Sequence, residues 1–206
     1  MPVTMTMEEM ISAVQKKLGV EADGRAGPQT WGAIYASLVK KRIGGVTPAE
    51  AITPVDARSE KAISTLLPEV WPFARALVQR AAQGGIVIKV ISGLRTYAEQ
   101  DALYAQGRTK PGRIVTKARG GYSNHNFGIA FDIGVFEGAK YLPESPKYKA
   151  VGALGMDLGL EWGGNWKTIV DEPHFQLRPT WAADLAERDM LAELRTRHES
   201  GEPTYA

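Results

Sequence analysis

Apolar residues between Met7 and Leu18 fall at Met7, Met10, Val14 and Leu18, spacings of three and four that place them on one helical face. Thr6 with Glu9 three positions on is a capping-box signature for the start of that helix, and Gly19 is its stop. Asp23-Gly24 marks a turn. Gly27-Pro28 then restarts the chain with proline at a first helical position, and Trp31, Ile34, Tyr35 and Leu38 form the stripe of a second helix. The pattern predicts a small all-α module over residues 1–42, in which Trp31 packs, followed by a linker over 43–57 that mixes Gly, Pro, Thr and Ala without a period. Residues 59–83 read as helix interrupted near Pro68 and Pro72. IVIKVIS (86–92) is a β-branched run of strand length. A short helix is expected over 97–106, a long loop over 107–122, and further strands at IAFDIGV (129–135) and HFQL (174–177). Helices are expected over 147–158 and 180–197, the latter with Ala183, Ala186, Met190 and Leu194 on one stripe and Trp181 packing. Residues 58–197 thus form one mixed α and β domain, with 198–206 as a flexible tail.

Composition narrows the chemistry. The 206 residues include no cysteine, which excludes disulfides, Cys-ligated zinc, iron–sulfur clusters and cysteine nucleophiles together. Any transition metal must be held by carboxylates and the three histidines. No apolar run approaches the roughly 18 residues of a membrane-spanning helix. The net charge of +2 hides an asymmetry: Arg75 to His125 holds nine basic and two acidic residues, and five of the basic ones lie between Arg108 and Arg119. Such a field suits an anionic partner but equally a solvated loop.

Two segments carry candidate chemistry. SNHNFGIAFD contains His125 and Asp132, and DEPHF contains Asp171 and His174. Two histidines and an aspartate suffice as protein ligands of a catalytic zinc, with a fourth position left for water. A further carboxylate, Asp171 or Glu172, would take the proton of that water. A His beside an Asp equally describes a structural hydrogen bond. There is no HExxH helix, and Pro173 argues against a helical turn through DEPH. Spacing alone leaves both readings open.

Residues 6–42, through LGV…DGRAGPQTWGA, resemble the bacterial peptidoglycan-binding module. Residues 59–178 resemble the zinc peptidases of the D-alanyl-D-alanine carboxypeptidase (VanY-like) and L-alanyl-D-glutamate endopeptidase family, of which phage endolysins form a branch. The resemblance rests on four motifs in order: SGLRTYAEQDALYAQGR, GGYSNHNFGIAFDIG, LEWGGNW and DEPHFQL. It implies an α+β fold, a small antiparallel sheet flanked by helices and carrying a zinc site. The family pattern SxHxxGxAxD lands on Ser123, His125, Gly128, Ala130 and Asp132. By that carry-over His125, Asp132 and His174 are zinc ligands, Asp171 is the general base, Arg95 steadies the oxyanion, and Ser123 stands near the substrate. Aspartate rather than glutamate at 171 resembles the endolysin branch. Trp162 and Trp166 are weighed between cleft floor and core, with Trp162 taken as the substrate contact. Arg108 to Arg119 would attract the carboxylates of D-Glu and diaminopimelate.

The function this implies is that of an endolysin: a zinc-dependent endopeptidase hydrolysing the L-Ala–D-Glu bond of bacterial peptidoglycan by metal-activated water. The alternatives are a D,D-carboxypeptidase removing terminal D-Ala and a non-catalytic wall-binding protein. The basic run lacks the interleaved aromatics of a stacking surface, so no nucleic-acid partner is expected. MPVTMTMEEM shows no secretory signal pattern. The expectation is therefore a monomer made in the host cytoplasm, not inserted in the membrane, and released to the wall by a holin.

Overall fold

The computed structural model describes residues 5–39 and 45–205. Helix α1 (Met7–Leu18) begins with the expected capping box, in which Thr6 Oγ1 accepts from the Glu9 amide and the Glu9 carboxylate accepts from the Thr6 amide at 2.8 Å. Helix α2 (Pro28–Val39) follows the DGRAG turn. What joins them is polar. Buried Gln15 donates to Asp23 Oδ1 at 2.7 Å and Thr30 Oγ1 at 2.8 Å, and accepts from the Gly24 amide at 2.9 Å. The apolar stripe of α1 is correspondingly outward: Met7, Met10 and Val14 are exposed, and Trp31, expected to pack, is 60% exposed. Two short helices cannot cover every apolar side chain, and here the inward position has gone to Gln15. The expected boundary between residues 42 and 43 lies outside the described residues.

The segment read as a linker is fastened down from residue 45 onward. A second capping box, Thr47 with Glu50, starts helix α3 (Pro48–Ile52). Val46 is buried, and Val55 packs against the main core. Helix α4 (Ala57–Ile63) leads to α5 (Trp71–Gln83), which grips α3 through an ion pair from Arg80 Nε to Glu50 Oε1 at 2.7 Å. Gln79 also donates to the Thr53 carbonyl at 2.9 Å. The sequence carried this signal in the T-P-A-E cap, which composition obscured.

The remaining elements are β1 (Val87–Ser92), α6 (Tyr97–Ala105), β2 (Ala130–Glu137), β3 (Lys140–Leu142), α7 (Lys147–Asp157), β4 (Glu161–Trp162), β5 (His174–Gln176) and α8 (Glu187–Ser200). The strands make one antiparallel sheet in the order β1-β2-β5-β4, while β3 pairs with the far end of β2. The α+β class is as expected, with β3 and β4 too short to be seen as periods. Strand side chains alternate between faces. Phe131, Ile133 and Val135 of β2 therefore enter the core with Leu77, Val90, Tyr148, Val151 and Phe175. Phe131 and Phe175, directly opposed across β2 and β5, stack with ring centroids 5.8 Å apart.

A smaller cluster joins Phe127 and Ile129 to Met190, Leu191 and Leu194 of α8. The expected helix over 180–197 is divided: a 3-10 turn (Thr180–Ala182) precedes α8, so Ala183 and Ala186 lie outside it, while Met190 and Leu194 are buried. The expected flexible tail is also bound. Tyr205 donates its hydroxyl to the Leu177 carbonyl at 2.8 Å, and Trp181 Nε1 donates to the Thr204 carbonyl at 2.8 Å. One aromatic side chain at the end of a polar, turn-rich segment was enough to dock it. Among the described residues no helix is long and apolar enough to cross a membrane.

The α3 anchor is testable through pH. Burial works to raise the Glu50 carboxyl, but the Arg80 guanidinium and the Thr47 amide outweigh it and bring its pKa from 4.5 to about 2. With the folded-state value below the unfolded one, the stabilisation is complete above pH 4.5 and is lost as pH falls toward 2. Glu50→Gln should lower stability at pH 7 by about 1.5–3 kcal/mol, the scale of hydrogen bonds to charged groups. In urea titrations the gap to the parent chain should close as pH falls through that window; a gap independent of pH would contradict the pairing.

Candidate metal centre

The register of β2 against β5 sets Asp132 directly opposite His174 on the face away from the core. The third group comes from a 3-10 turn (Asn124–Phe127) closed by Gly128 in the left-handed region at φ 68°, which lets the chain enter β2 abruptly. Asn126 secures this turn by donating to the Arg95 carbonyl at 2.7 Å and accepting from the Gly121 amide at 3.0 Å. His125 Nε2 then lies 3.2 Å from Asp132 Oδ1 and 3.2 Å from His174 Nδ1, and His174 Nδ1 lies 3.4 Å from Asp132 Oδ1. A tetrahedral zinc with bonds of about 2.0–2.1 Å has ligand atoms about 3.3–3.4 Å apart. The triangle has that size, so the three residues fit a zinc ion.

The second nitrogen of each ring supports the same assignment. His125 Nδ1 lies 2.8 Å from the Gly93 carbonyl, which only accepts, so the proton sits there and Nε2 keeps its lone pair. His174 Nε2 lies 2.9 Å from Gln176 Oε1, which leaves Nδ1 as the lone-pair nitrogen. Both rings are nearly buried, at 3% and 4% exposure. Burial would raise the Asp132 carboxyl, but His125 and His174 beside it hold it well below its ordinary value. Burial would lower His174, but hydrogen bonding to Asp132 raises it. Asp132 and His174 thus pull each other toward charge, an attraction that a cation at the centre of the triangle would replace.

Asp171 is reached through a turn, as Pro173 required. Its amide donates to the Gly163 carbonyl at 3.0 Å, and the His174 amide donates to the Asp171 carbonyl at 3.2 Å. A Cβ on Gly163 would sit 2.6 Å from the Asp171 carbonyl oxygen and 3.0 Å from His174 Cβ, so the first glycine of EWGGNW is demanded by this turn. The Asp171 carboxyl is raised, by burial first and the Asp132 charge second, and it makes no hydrogen bond or ion pair among the described residues. It lines an open cleft of about 1090 Å³ together with Arg95, Ser123, His125, Asp132 and His174. Glu172 does not line it; its carbonyl accepts from Trp162 Nε1 at 2.8 Å.

Arg95 is held by Gln100 Oε1 at 2.8 Å and Ser92 Oγ at 3.1 Å, and reaches Asp132 Oδ2 at 3.5 Å. Trp162 is 8% exposed and belongs to the core, where Gly152 and Gly164 accommodate its ring. Only its edge reaches the cleft. Trp166 is the tryptophan that faces it, 36% exposed with its ring 4.7 Å from that of His174. The remaining histidine, His198, packs with its ring 5.5 Å from that of Tyr97. Of the basic loop, Lys117 lines the cleft, whereas Arg108 is turned onto Tyr104 and the Thr116 carbonyl. Sequence reasoning overlooked Asn124, Gln176 and Glu161 around His174; the period-2 spacing of His174 and Gln176 was the available signal.

A family profile described as D-alanyl-D-alanine carboxypeptidase matches residues 116–177, the stretch that holds His125, Asp132 and His174 together with Asp171. The chain is 40% identical over 126 residues to the peptidoglycan L-alanyl-D-glutamate endopeptidase CwlK of Bacillus subtilis, covering 56% of this chain and 75% of that one. It is 29% identical over 123 residues to the L-alanyl-D-glutamate peptidase of Listeria phage A118, covering 58% of this chain but 41% of the phage protein. Among solved structures, the L-Ala D-Glu endopeptidase ChiX of Serratia marcescens superposes with a TM-score of 0.47 at 26% identity, covering 60% of this chain and 88% of that one. With its ligand triangle lying inside the matched stretch, the chain belongs to the D-alanyl-D-alanine carboxypeptidase family of metallopeptidases.

Proposed function

We propose that the chain is a zinc-dependent peptidoglycan endopeptidase that hydrolyses the L-Ala–D-Glu bond of stem peptides. The observation that carries this reading is the ligand triangle of His125, Asp132 and His174 beside an unpaired, half-buried Asp171 carboxyl in an open cleft. The choice of bond rests on the two relatives named for it. A zinc ion on the three ligands supplies Lewis acidity toward the scissile carbonyl and a water that ionises near neutral pH.

The protein's own groups do the rest. Asp171 accepts a proton from the attacking water and delivers it to the nitrogen of D-Glu as the C–N bond breaks, so the acyl carbon gains oxygen and the amine leaves neutral. A carboxyl raised by burial suits both halves of that transfer. Arg95, immobilised by Gln100 and Ser92, donates to the carbonyl oxygen as it gains charge. Ser123 and Trp166 line the path of the substrate, and Lys117 and Lys167 on the cleft walls attract its carboxylates. The α1–α2 module would hold the wall, and the enzyme would act there as an endolysin.

Digestion of purified peptidoglycan, read by mass spectrometry, tests the whole reading. New D-Glu amino termini, abolished by chelator and restored by zinc, are expected. Loss of terminal D-Ala alone would make the chain a carboxypeptidase, and wall binding without cleavage would make it a binding protein. Asp171→Ala should keep zinc and fold while losing about 10²–10⁴-fold in rate, the range of a general base. His125→Ala should lose the metal itself, measured by metal content after dialysis. Full activity in Asp171→Ala would sink the assignment of the base.

A further inference from the structure

His174 and Gln176 stand two residues apart on β5 and so project from the same face. His174 Nε2 donates to Gln176 Oε1 at 2.9 Å, and both side chains are buried. A glutamine has a donor end as well as an acceptor end. Turned the other way, its NH2 would face the ring, favour a proton on Nδ1 and remove the lone pair aimed at the ligand triangle. The structure shows what prevents that turn. Gln176 Nε2 donates at 2.6 Å to Glu161 Oε2, the residue directly opposite it in the register of β4 against β5. A carboxylate only accepts, so the NH2 must point at Glu161 and the oxygen at His174.

The carboxylate is itself held. Arg178 Nε donates to Glu161 Oε1, and Arg178 also bonds Glu187 Oε2 at 2.7 Å. Asn124 donates to Glu187 Oε1 and, at 2.6 Å, to Gln176 Oε1. The ring of contacts thus closes on Gln176. Both lone pairs of its oxygen are used, one by His174 and one by Asn124, the residue next to the ligand His125.

The geometry points to Gln176 as a positioning residue for the metal ligand His174, oriented in turn by Glu161: a carboxylate–amide–imidazole relay that keeps the His174 proton on Nε2 and its lone pair on Nδ1. An amide in the middle orients the ring without adding a third negative charge beside Asp132 and Asp171. The inference rests on the zinc reading proposed above.

Exchanging the two groups tests it. In Glu161→Gln, Arg178 takes the new amide oxygen, the new NH2 faces residue 176, and Gln176 must turn its own NH2 toward His174. Zinc affinity of the full chain, measured by chelator competition, should fall by about 10- to 100-fold, the usual scale for partners of metal ligands. In the double variant E161Q/Q176E the order of carboxylate and amide is reversed but every donor again meets an acceptor. Affinity should recover to at least that of the parent chain, since a carboxylate on Nε2 orients the ring as the amide oxygen does. In zinc-loaded protein the Nε2 proton of His174 should be hydrogen-bonded and slow to exchange by NMR in the parent, lose that protection in Glu161→Gln and regain it in the double variant. Glu161 is partly exposed, so Glu161→Gln is expected to fold, with circular dichroism as the check.

Unchanged zinc affinity in Glu161→Gln would overturn the proposal, as would failure of the exchange to restore it. An altered affinity with the Nε2 proton unchanged would also overturn it, since that is what loss of a nearby charge alone would produce. A parent chain without measurable zinc affinity would overturn the zinc reading and this proposal with it. A parent that binds zinc while the variants match it would remove only the relay.

Discussion

The pairing of β2 with β5 is the constraint on which the rest depends. One register places Phe131 against Phe175 and, a residue further, Asp132 against His174. The first pair stacks in the core and the second faces the cleft, so burial of the aromatic pair fixes the distance between two metal ligands. A slip of β5 by one residue against β2 would send His174 into the core and Phe175 into the cleft. The hydrophobic driving force that closes the sheet therefore also sets the chemistry, and no separate device is needed to hold Asp132 near His174. His125 is the ligand that needs one: a 3-10 turn, a glycine at positive φ, and two hydrogen bonds from the Asn126 side chain.

Charge is arranged around that triangle with similar economy. Asp132 uses one carboxylate oxygen toward the histidines and the other toward Arg95, so it links the ligand set to the group placed for the carbonyl oxygen. Asp171, by contrast, is left without a partner, and its burial next to Asp132 raises it. Two carboxyls beside His174 thus sit in opposite electrostatic states. That separation of roles is what a centre needs when one carboxylate binds and the other moves a proton. The Glu161–Gln176 pair extends the same logic outward, since it directs the His174 proton without bringing a third anion against the ring.

The N-terminal third obeys different rules. The α1–α2 pair is tied by the polar bonds of Gln15 and leaves Met7, Met10 and Trp31 exposed, whereas α3 is fastened to α5 by charge. Helical periodicity located α1 and α2 as helices, while α3 fell in the stretch expected to be a linker, and periodicity says only which residues share a face. It does not say whether that face is inward. A single buried glutamine reversed the answer for α1.

Much of the catalytic domain was legible in the order of residues because its signals are local or rigidly periodic. The alternation of IAFDIGV and the β-branched run before Ser92 follow from rules that act within a few residues, whereas the spacing of His125, Asp132 and His174 left the metal reading open and only the family resemblance selected it. The absence of cysteine confined any metal to histidine and carboxylate. Tertiary structure decided what no local rule can. It put the Trp162 ring largely into the core against Gly152 and Gly164 and left Trp166 the more exposed of the two tryptophans that line the cleft. It docked the segments expected to be linker and tail, through the Arg80–Glu50 ion pair with buried Val46 and through Tyr205 with Trp181. It also brought Glu161 and Gln176 behind His174, since the partner of a strand residue is set by register between distant segments and not by spacing along the chain.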